Sequence, residues 1–411
     1  MATPRIELVP LRAAVSTEKA TTLDVLVRIL PPQVPQKADR PPLNLSLVID
    51  RSGSMQGDKI AYARQAAAFA VEQLTPQDRV SLVAFDDEVN VLVPSTRVEY
   101  KALLLGAIRG IEPGGSTALH EAWRQGGLQV SHHLAADHLN RVIVLSDGLA
   151  NVGETNPDTI AADVHKLAKL GVSTTTLGVG DDYNEDLMQA MAKSGDGNYY
   201  YIQSPDQLAA IFGAELQGLM GMAGHTVSLG LAAQNGVVVQ DVLNDLDKTA
   251  TGRYKLPNMV MGNPIEVVIR LKVPAVHAET ELLTVRLAWN HPDAAERQVL
   301  HASLRLPAVS EAQLVEFPLN EDVQRQATLL MTARAREEAV RHLDAGNKEA
   351  ARDTLRKAMA PVAAAAPSPM MAMEMQALAS LDEEIASGSA ARARKQATYE
   401  SYNRKSSKPN R

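Results

Sequence analysis

Three oxygen-bearing side chains occur at alternate positions early in the chain. The stretch Leu45 to Met55 reads LSLVIDRSGSM, an apolar run that leads directly into Asp50, with Ser52 and Ser54 at the next alternate positions. A carboxylate and two hydroxyls at the end of a buried strand are oxygen ligands, which hard divalent cations such as Mg²⁺, Mn²⁺ or Ca²⁺ prefer and Zn²⁺ or copper do not. In the alternative interpretation, Ser52 and Ser54 are only turn and helix-cap residues.

Two later segments favour the metal interpretation. Residues 113–119 read PGGSTAL, where two glycines let the backbone turn sharply or approach a ligand and Thr117 supplies a hydroxyl. Residues 141–148 read RVIVLSDG, a second apolar run that ends at Asp147. Continuous apolar runs are typical of strands in parallel sheets, whose carboxyl ends lie at one edge, where open α/β sheets bind ligands. The three segments are therefore expected to converge.

The elements that must position these residues alternate between strands and helices from Leu43 to about Met220. This alternation predicts an α/β fold with a doubly wound, mostly parallel sheet that carries helices on both faces. The last of the predicted helices spans about Pro205 to Leu219, after an edge-like strand at NYYYIQ.

The five positions resemble a known signature. The region from about Pro42 to Gln217 resembles a von Willebrand factor A (VWA) domain with a metal-ion-dependent adhesion site, which consists of D-x-S-x-S, a distant Thr and a distant Asp. Asp50, Ser52 and Ser54 match the first element, Thr117 the second and Asp147 the third. The surrounding sequence is similar to bacterial members that resemble the calcium-activated chloride channel and inter-alpha-trypsin inhibitor heavy chain groups.

The resemblance implies a mechanism of adhesion. A divalent cation, with Mg²⁺ the best fit and Mn²⁺ or Ca²⁺ as alternatives, would be bound directly mostly by Ser52, Ser54 and Thr117. Asp50 and Asp147 would act close to the ion or through water and hold the hydroxyls in place. An Asp or Glu carboxylate from another protein would complete the coordination of the ion.

Several neighbouring residues are weaker candidates. Arg51 and Met55 lie on the same loop as the serines and, with His120, could line the rim where a partner binds; each is also a common surface or packing residue. The acidic residues 86–88 could hold a second cation, although a solvated acidic turn is the simpler interpretation.

The flanking regions have a different pattern. Residues 1–41 and 221–308 show short alternating segments that predict a β-sandwich, with the α/β domain of residues 42–220 inserted in it. A separate N-terminal hairpin is the competing arrangement. The pattern of residues 309–360 predicts a helical hairpin. Within residues 361–411 we expect a linker over Pro361 to Met373, followed by a short helix and a basic tail. We expect a solvated, disordered tail, with contact to nucleic acid, an acidic partner or a membrane as the alternatives.

Composition limits the function classes. The 411 residues include 4% aromatics, no cysteine and a net charge of −7, which disfavours nucleic-acid binding and excludes thiolate chemistry. Neither a signal peptide nor a membrane span is recognisable, so we expect a cytoplasmic location. The leading hypothesis is a non-enzymatic, metal-dependent interaction module or scaffold. The alternative is a metal-dependent hydrolase of phosphoesters, for which His120 is the only titratable side chain predicted near the site besides the ligands.

Overall fold

A computed structural model describes residues 3–32, 41–135, 138–148, 150–180, 183–202, 207, 211, 213, 215, 221–291, 294 and 296–407. The chain divides into two compact units. Residues 36–221 form one, called the α/β unit below. Residues 1–35 and 222–411 together form the other, called the β/helical unit.

The α/β unit contains a six-stranded sheet in the order β6-β5-β4-β7-β8-β9. Only the pair of β5 with β6 is antiparallel; the other neighbours are parallel. Its strands are β4 (Leu43–Asp50), β5 (Arg79–Phe85), β6 (Val89–Arg97), β7 (Leu139–Ser146), β8 (Val172–Val179) and β9 (Tyr199–Ile202). The described helices are α1 (Asp58–Gln73), α2 (Lys101–Arg109), α3 (Leu119–Ser131), α4 (Pro157–Lys169) and α5 (Glu185–Ser194). The helix expected over Pro205 to Leu219 lies mostly outside the described residues.

Apolar side chains on both faces explain the central position of β4, in which every residue is buried. Leu45, Leu47 and Ile49 pack in a cluster with α1, whereas Val48 packs in a second cluster that includes Trp123 of α3. Burial on both faces fixes the register of the strand, so that Asp50 falls at its carboxyl end beside Phe85 of β5.

The β/helical unit contains two larger antiparallel sheets. One has the order β1-β3-β14-β11, and the other the order β12-β10-β15-β16 with β13 paired to β10. The N-terminal strands thus pair with strands that follow the α/β unit, as in the first of the two expected arrangements; for example, Ile29 lies opposite Ile265. The strands are β1 (Arg5–Pro10), β2 (Val15–Ser16), β3 (Thr21–Leu30), β10 (Met222–Ala233), β11 (Val238–Val242), β12 (Tyr254–Lys255), β13 (Met259–Val260), β14 (Ile265–Val273), β15 (Thr280–Asn290), β16 (Arg297–Leu306) and β17 (Ala308–Val309).

One apolar cluster joins the two sheets. Val27 of β3 and Val267 of β14 belong to the same buried cluster as Leu229 of β10 and Leu287 of β15. Alternate residues of these strands are therefore removed from water, which is the main source of stability for such an assembly.

Four helices follow the strands: α6 (Glu321–Asp344), α7 (Lys348–Ala364), α8 (Pro369–Ala386) and α9 (Ala390–Lys405). Helix α6 packs on the first sheet, where Val323 and Leu330 share a cluster with Leu26 and Val268. The predicted extent of the linker, Pro361 to Met373, was wrong, because Pro361 lies inside α7 and Pro369 already begins α8. Among the described residues, no helix combines the length and the apolar character needed to cross a bilayer.

The expectation of a disordered basic tail was also wrong. Helix α9 buries Ala393 and Ala397 against the neighbouring helices. Two of its basic residues have acidic partners that are distant in sequence: Arg394 pairs with Asp344, and Lys405 Nζ lies 2.7 Å from a carboxylate oxygen of Asp245. These pairs compensate part of the positive charge of the segment, which packs with the other helices. The last four residues of the predicted tail, 408–411, lie outside the described residues.

Candidate metal centre at the carboxyl edge of the sheet

Asp50 ends β4 and is fully buried. Its Oδ1 accepts a hydrogen bond from the backbone N–H of Ser52 at 2.8 Å, and its Oδ2 accepts one from the hydroxyl of Ser146. Because Ser146 ends the adjacent parallel strand β7, these contacts connect the first loop of the site to the loop that carries Asp147.

A short 3₁₀ turn over Gly53–Met55 orients the two serines. In such a turn residues i and i+3 lie on one side, so Ser52 and Met55 both point inward, with 1% and 0% exposure, while Ser54 is exposed. The Ser52 and Ser54 hydroxyl oxygens are nevertheless only 3.1 Å apart. The assignment of Met55 to a partner-binding rim was therefore wrong, because its side chain belongs to the core beneath the loop.

The glycine-rich loop is joined to this turn by backbone hydrogen bonds. Gly114 N–H donates to Arg51 O at 2.7 Å, and Gly53 N–H donates to Gly115 O at 2.9 Å. Gly115 has a φ of +64°, and a Cβ there would lie 1.9 Å from Asp87 Oδ1, so both the conformation and the space require glycine. The sequence around PGG thus serves to bring Thr117 to the serine loop.

Thr117 is 2% exposed and also contacts the third loop. Its N–H donates to Asn151 Oδ1 at 2.8 Å, and its carbonyl accepts from the N–H groups of Asn151 and Val152 at 3.1 and 3.2 Å. Sequence reasoning did not identify Asn151 as a positioning residue, because an Asn four residues after Asp147 has no distinctive signal of its own.

Asp147 lies at the carboxyl end of β7 with 0% exposure. Its Oδ1 is buried and has no hydrogen-bond partner among the described residues. A buried carboxylate oxygen without a donor is costly, and a cation is the type of group that would satisfy it. The predicted residues thus fit a hard cation: two carboxylates and three hydroxyls lie on three connected loops, with Ser54 open to solvent.

The electrostatics of the site are unfavourable without a cation. The pKa of the Asp50 carboxyl is raised to about 6, and burial is the main cause. The hydrogen bonds from Ser146 and Ser52 oppose the increase, and the charge of Asp147 adds a smaller increase. The two buried carboxylates repel each other, and hydroxyl and amide donors alone do not compensate this repulsion and the loss of hydration. The arrangement therefore favours binding of positive charge.

Lys59 supplies part of that charge, and sequence reasoning missed it. Its Nζ lies 3.5 Å from Asp147 Oδ2, and its side chain is 18% exposed. The position that a Cβ of Gly180 would take is 2.7 Å from Lys59 Cε, so a side chain at that glycine would displace the lysine. A lysine nine residues after Asp50 could have been considered, since α1 begins at Asp58 just after the serine loop.

The other predicted rim residues are engaged in contacts. Arg51 lies 3.0 Å from Asp86 Oδ2 with its side chain 26% exposed. His120 Nε2 lies 3.2 Å from Asp163 Oδ2, and the imidazole stacks on Trp123. In the acidic turn, Asp87 and Glu88 are exposed but Asp86 is buried, so this turn is only partly solvated. Nowhere in the described part of the chain do three or more His, Asp or Glu side chains form a separate cluster suited to a metal.

The fold and the sequence together define the class of the α/β unit. Residues 44–214 match the von Willebrand factor type A domain, and the order and direction of the strands agree with that fold. This part of the chain is therefore a VWA domain. Domains of this class generally mediate interactions between proteins.

Three relatives illustrate how far the similarity extends. An uncharacterised protein of Synechocystis sp. is 28% identical over 346 residues, which cover 73% of this chain and 80% of that protein. Inter-alpha-trypsin inhibitor heavy chain H4 of Homo sapiens is 31% identical over 166 residues, but these cover 38% of this chain and only 18% of the heavy chain. The structure of a von Willebrand factor type A protein from Catenulispora acidiphila superposes with a TM-score of 0.68 and 19% identity, covering 91% of this chain and 88% of that one. The last likeness concerns the fold alone.

Proposed function

We propose that the VWA domain binds a divalent cation, with Mg²⁺ the first choice, through Asp50, Ser52, Ser54, Thr117 and Asp147. The bound ion in turn binds an Asp or Glu carboxylate of another protein. The observation that supports this most directly is the buried Asp147 Oδ1, which has no hydrogen-bond donor among the residues that the structure describes. The charge of Asp147 also acts on a second buried carboxylate, Asp50.

The charge balance of the site favours an anionic partner. The two carboxylates contribute two negative charges and Lys59 one positive charge, so a divalent ion leaves the site with one net positive charge. Because the surroundings are largely buried, this excess is poorly screened, and it attracts a carboxylate more strongly than a neutral acceptor. Lys59 thus makes the occupied site selective for acidic ligands.

We also propose a non-enzymatic role. The base expected for the hydrolase alternative is His120, whose described polar contact is with Asp163 and which stacks on Trp123. Among the described contacts, none joins His120 to the five proposed ligands, so we favour the interaction module over the hydrolase. The two antiparallel sheets of the β/helical unit, which share one apolar cluster, are best interpreted as a β-sandwich that carries the VWA domain as an insertion.

Direct titration of metal tests the proposal. We expect isothermal titration calorimetry to show saturable Mg²⁺ binding to the full chain, and Asp147→Asn to abolish it. Ser54→Ala should weaken Mg²⁺ binding about tenfold, since it removes one oxygen ligand. Ser116→Ala is the matched control, because this exposed hydroxyl lies on the glycine-rich loop next to Thr117 but outside the ligand set.

The partner step needs a separate measurement. A peptide with one central Glu should bind in Mg²⁺ and not in EDTA, and the same peptide with Gln should bind in neither. The metal site would be ruled out if wild type and Asp147→Asn bound Mg²⁺ with equal affinity. Circular dichroism would verify that both proteins are folded. Equal binding of the Glu and Gln peptides would rule out the carboxylate mechanism.

A further inference from the structure

A group of basic side chains lies on the solvent-facing side of the second sheet of the β/helical unit. Arg286 of β15 lies opposite Gly230 of β10 on one side and His301 of β16 on the other. Because Gly230 has no side chain, the stems of Arg286 and Arg253 both approach it. A Cβ placed on Gly230 would lie 3.6 Å from Arg286 Cβ and 4.0 Å from Arg253 Cγ.

A third arginine extends the group. Arg297 begins β16, and its guanidinium donates to Ser228 Oγ, Asn290 Oδ1 and the carbonyls of Thr226 and Ala288 at 2.9 to 3.2 Å. All four acceptors are neutral, so they fix the orientation of the guanidinium without neutralising its charge. Partial burial lowers the pKa of Arg297, and the charges of Arg286 and Arg253 lower it further, which places the three cations within electrostatic reach of one another.

No described carboxylate forms an ion pair with any of these three arginines. Arg286 Nη1 is buried and donates to no described acceptor. Other arginines of the same unit are paired: Arg270 with Asp24, and Arg305, also on β16, with Glu281. The group therefore differs from these paired arginines, and it lies in a chain with a net charge of −7.

This arrangement costs stability unless a ligand compensates it. Like charges in proximity repel, and a buried guanidinium nitrogen without an acceptor loses its hydration without replacement. Local violations of this kind are typical of sites that bind something. The missing component is a group with several acceptor oxygens and more than one negative charge.

We propose that Arg253, Arg286 and Arg297 form a binding site for a tetrahedral oxyanion of the phosphate type. Guanidinium groups bind phosphate oxygens through paired N–H donors, and a doubly charged anion neutralises several cations at once, which a single carboxylate does not. The site lies wholly in the β/helical unit and is independent of the metal centre.

Calorimetric titration with inorganic phosphate, in EDTA and at constant ionic strength, tests this site. We expect saturable binding of phosphate to wild type. Arg286→Gln should lower the phosphate affinity by about tenfold or more, since one charge-assisted donor set is lost. Arg305→Gln is the matched control, because it removes the same charge from the same sheet at a residue that already has a carboxylate partner. It should leave the phosphate affinity unchanged.

A second measurement separates binding from a structural role. In low salt without phosphate, Arg253→Gln should raise the urea midpoint of unfolding, because it relieves repulsion; a structural arginine would give a lower midpoint. Phosphate should then raise the midpoint of wild type more than that of Arg253→Gln. The proposal fails if phosphate shows no saturable binding, if sodium acetate or chloride acts equally at the same ionic strength, or if Arg286→Gln and Arg305→Gln weaken binding equally.

Two sources of the anion are distinguished by one further titration. If phosphoserine binds more tightly than inorganic phosphate, a phosphorylated protein or metabolite is the source. If inorganic phosphate binds more tightly, the free ion is the ligand. Asp147→Asn should change neither titration, so failure of the metal site and failure of the oxyanion site are recognised separately.

Discussion

Replacing Asp50 by asparagine should stabilise the metal-free protein while abolishing metal binding. The pKa of Asp50 is raised from 3.8 to about 6 by burial, so the charged carboxylate opposes folding. A shift of about two units corresponds to roughly 3 kcal/mol at 1.36 kcal/mol per unit. Asparagine can still accept from Ser52 N–H and donate to Ser146 Oγ, and allowing for weaker hydrogen bonds we expect a gain of about 1 to 3 kcal/mol at pH 8.

The pH dependence of this gain is specific. Because the folded-state pKa lies above the unfolded value, the penalty in wild type is absent below about pH 4, grows as pH rises, and is complete above about pH 6. Urea unfolding in EDTA at pH 8 and pH 5 should therefore show a larger difference between variant and wild type at pH 8. Trp289→Phe provides a suitable background, because it leaves Trp123, buried in the VWA domain, as the sole tryptophan.

Metal addition should reverse the order of stability. Saturating Mg²⁺ stabilises wild type by mass action and has no effect on Asp50→Asn. Asp78→Asn is the matched control: this buried carboxylate accepts from Leu43 N–H and from Thr75, so its loss should cost about 1 to 3 kcal/mol without changing the Mg²⁺ response. If Asp50→Asn were destabilised in EDTA as Asp78→Asn is, Asp50 would be an ordinary structural residue and the reasoning would be refuted.

Three further predictions concern other features of the two units. Lys59→Met should tighten Mg²⁺ binding roughly tenfold but weaken binding of an acidic peptide in Mg²⁺, as measured by calorimetry; unchanged values for both would contradict the charge balance proposed above. Gly115→Ala should lower the unfolding free energy by at least about 1 kcal/mol and weaken Mg²⁺ binding, whereas Gly114→Ala, with open space and no positive φ, should do neither. Burial opposes the ionisation of Glu374, but Arg336 and the other partners of Glu374 hold the pKa of its carboxyl below the ordinary 4.5. The charged carboxylate therefore stabilises the fold above that value, and this stabilisation is lost as pH falls below it. Glu374→Gln should reduce this acid sensitivity in urea unfolding and cost about 3 to 5 kcal/mol at neutral pH.

The candidate site was largely predictable because its signals are local. Apolar runs that end at Asp50 and Asp147 identify parallel strands, and parallel strands place their carboxyl ends at one edge. The contribution of Lys59 was not predictable in the same way, because its position depends on how α1 leaves the serine loop and on the absence of a side chain at Gly180. Met55 was misassigned because the turn after Ser52 is a 3₁₀ turn and not an extended loop.

The C-terminal region was less predictable for a different reason. Its basic residues indicate a solvated segment only as long as their partners are unknown, and those partners come from distant parts of the chain. Arg404 lies 3.2 Å from Glu374, and Ser407 Oγ accepts from the backbone N–H of Glu266 on β14. Composition describes charge but not the pairing of charges, and only the tertiary structure supplies the latter.

The pairing of β3 with β14 has a consequence for biosynthesis. The ribosome completes β3 at Leu30 and must translate the whole VWA domain before Ile265 exists to pair with Ile29. During that interval one side of β3 exposes unpaired amide and carbonyl groups, which are a template for association with other nascent chains. The VWA domain is encoded by one uninterrupted segment and can fold as soon as that segment is complete. Messages that end within β10 to β14 should therefore yield a folded VWA domain attached to an aggregation-prone strand.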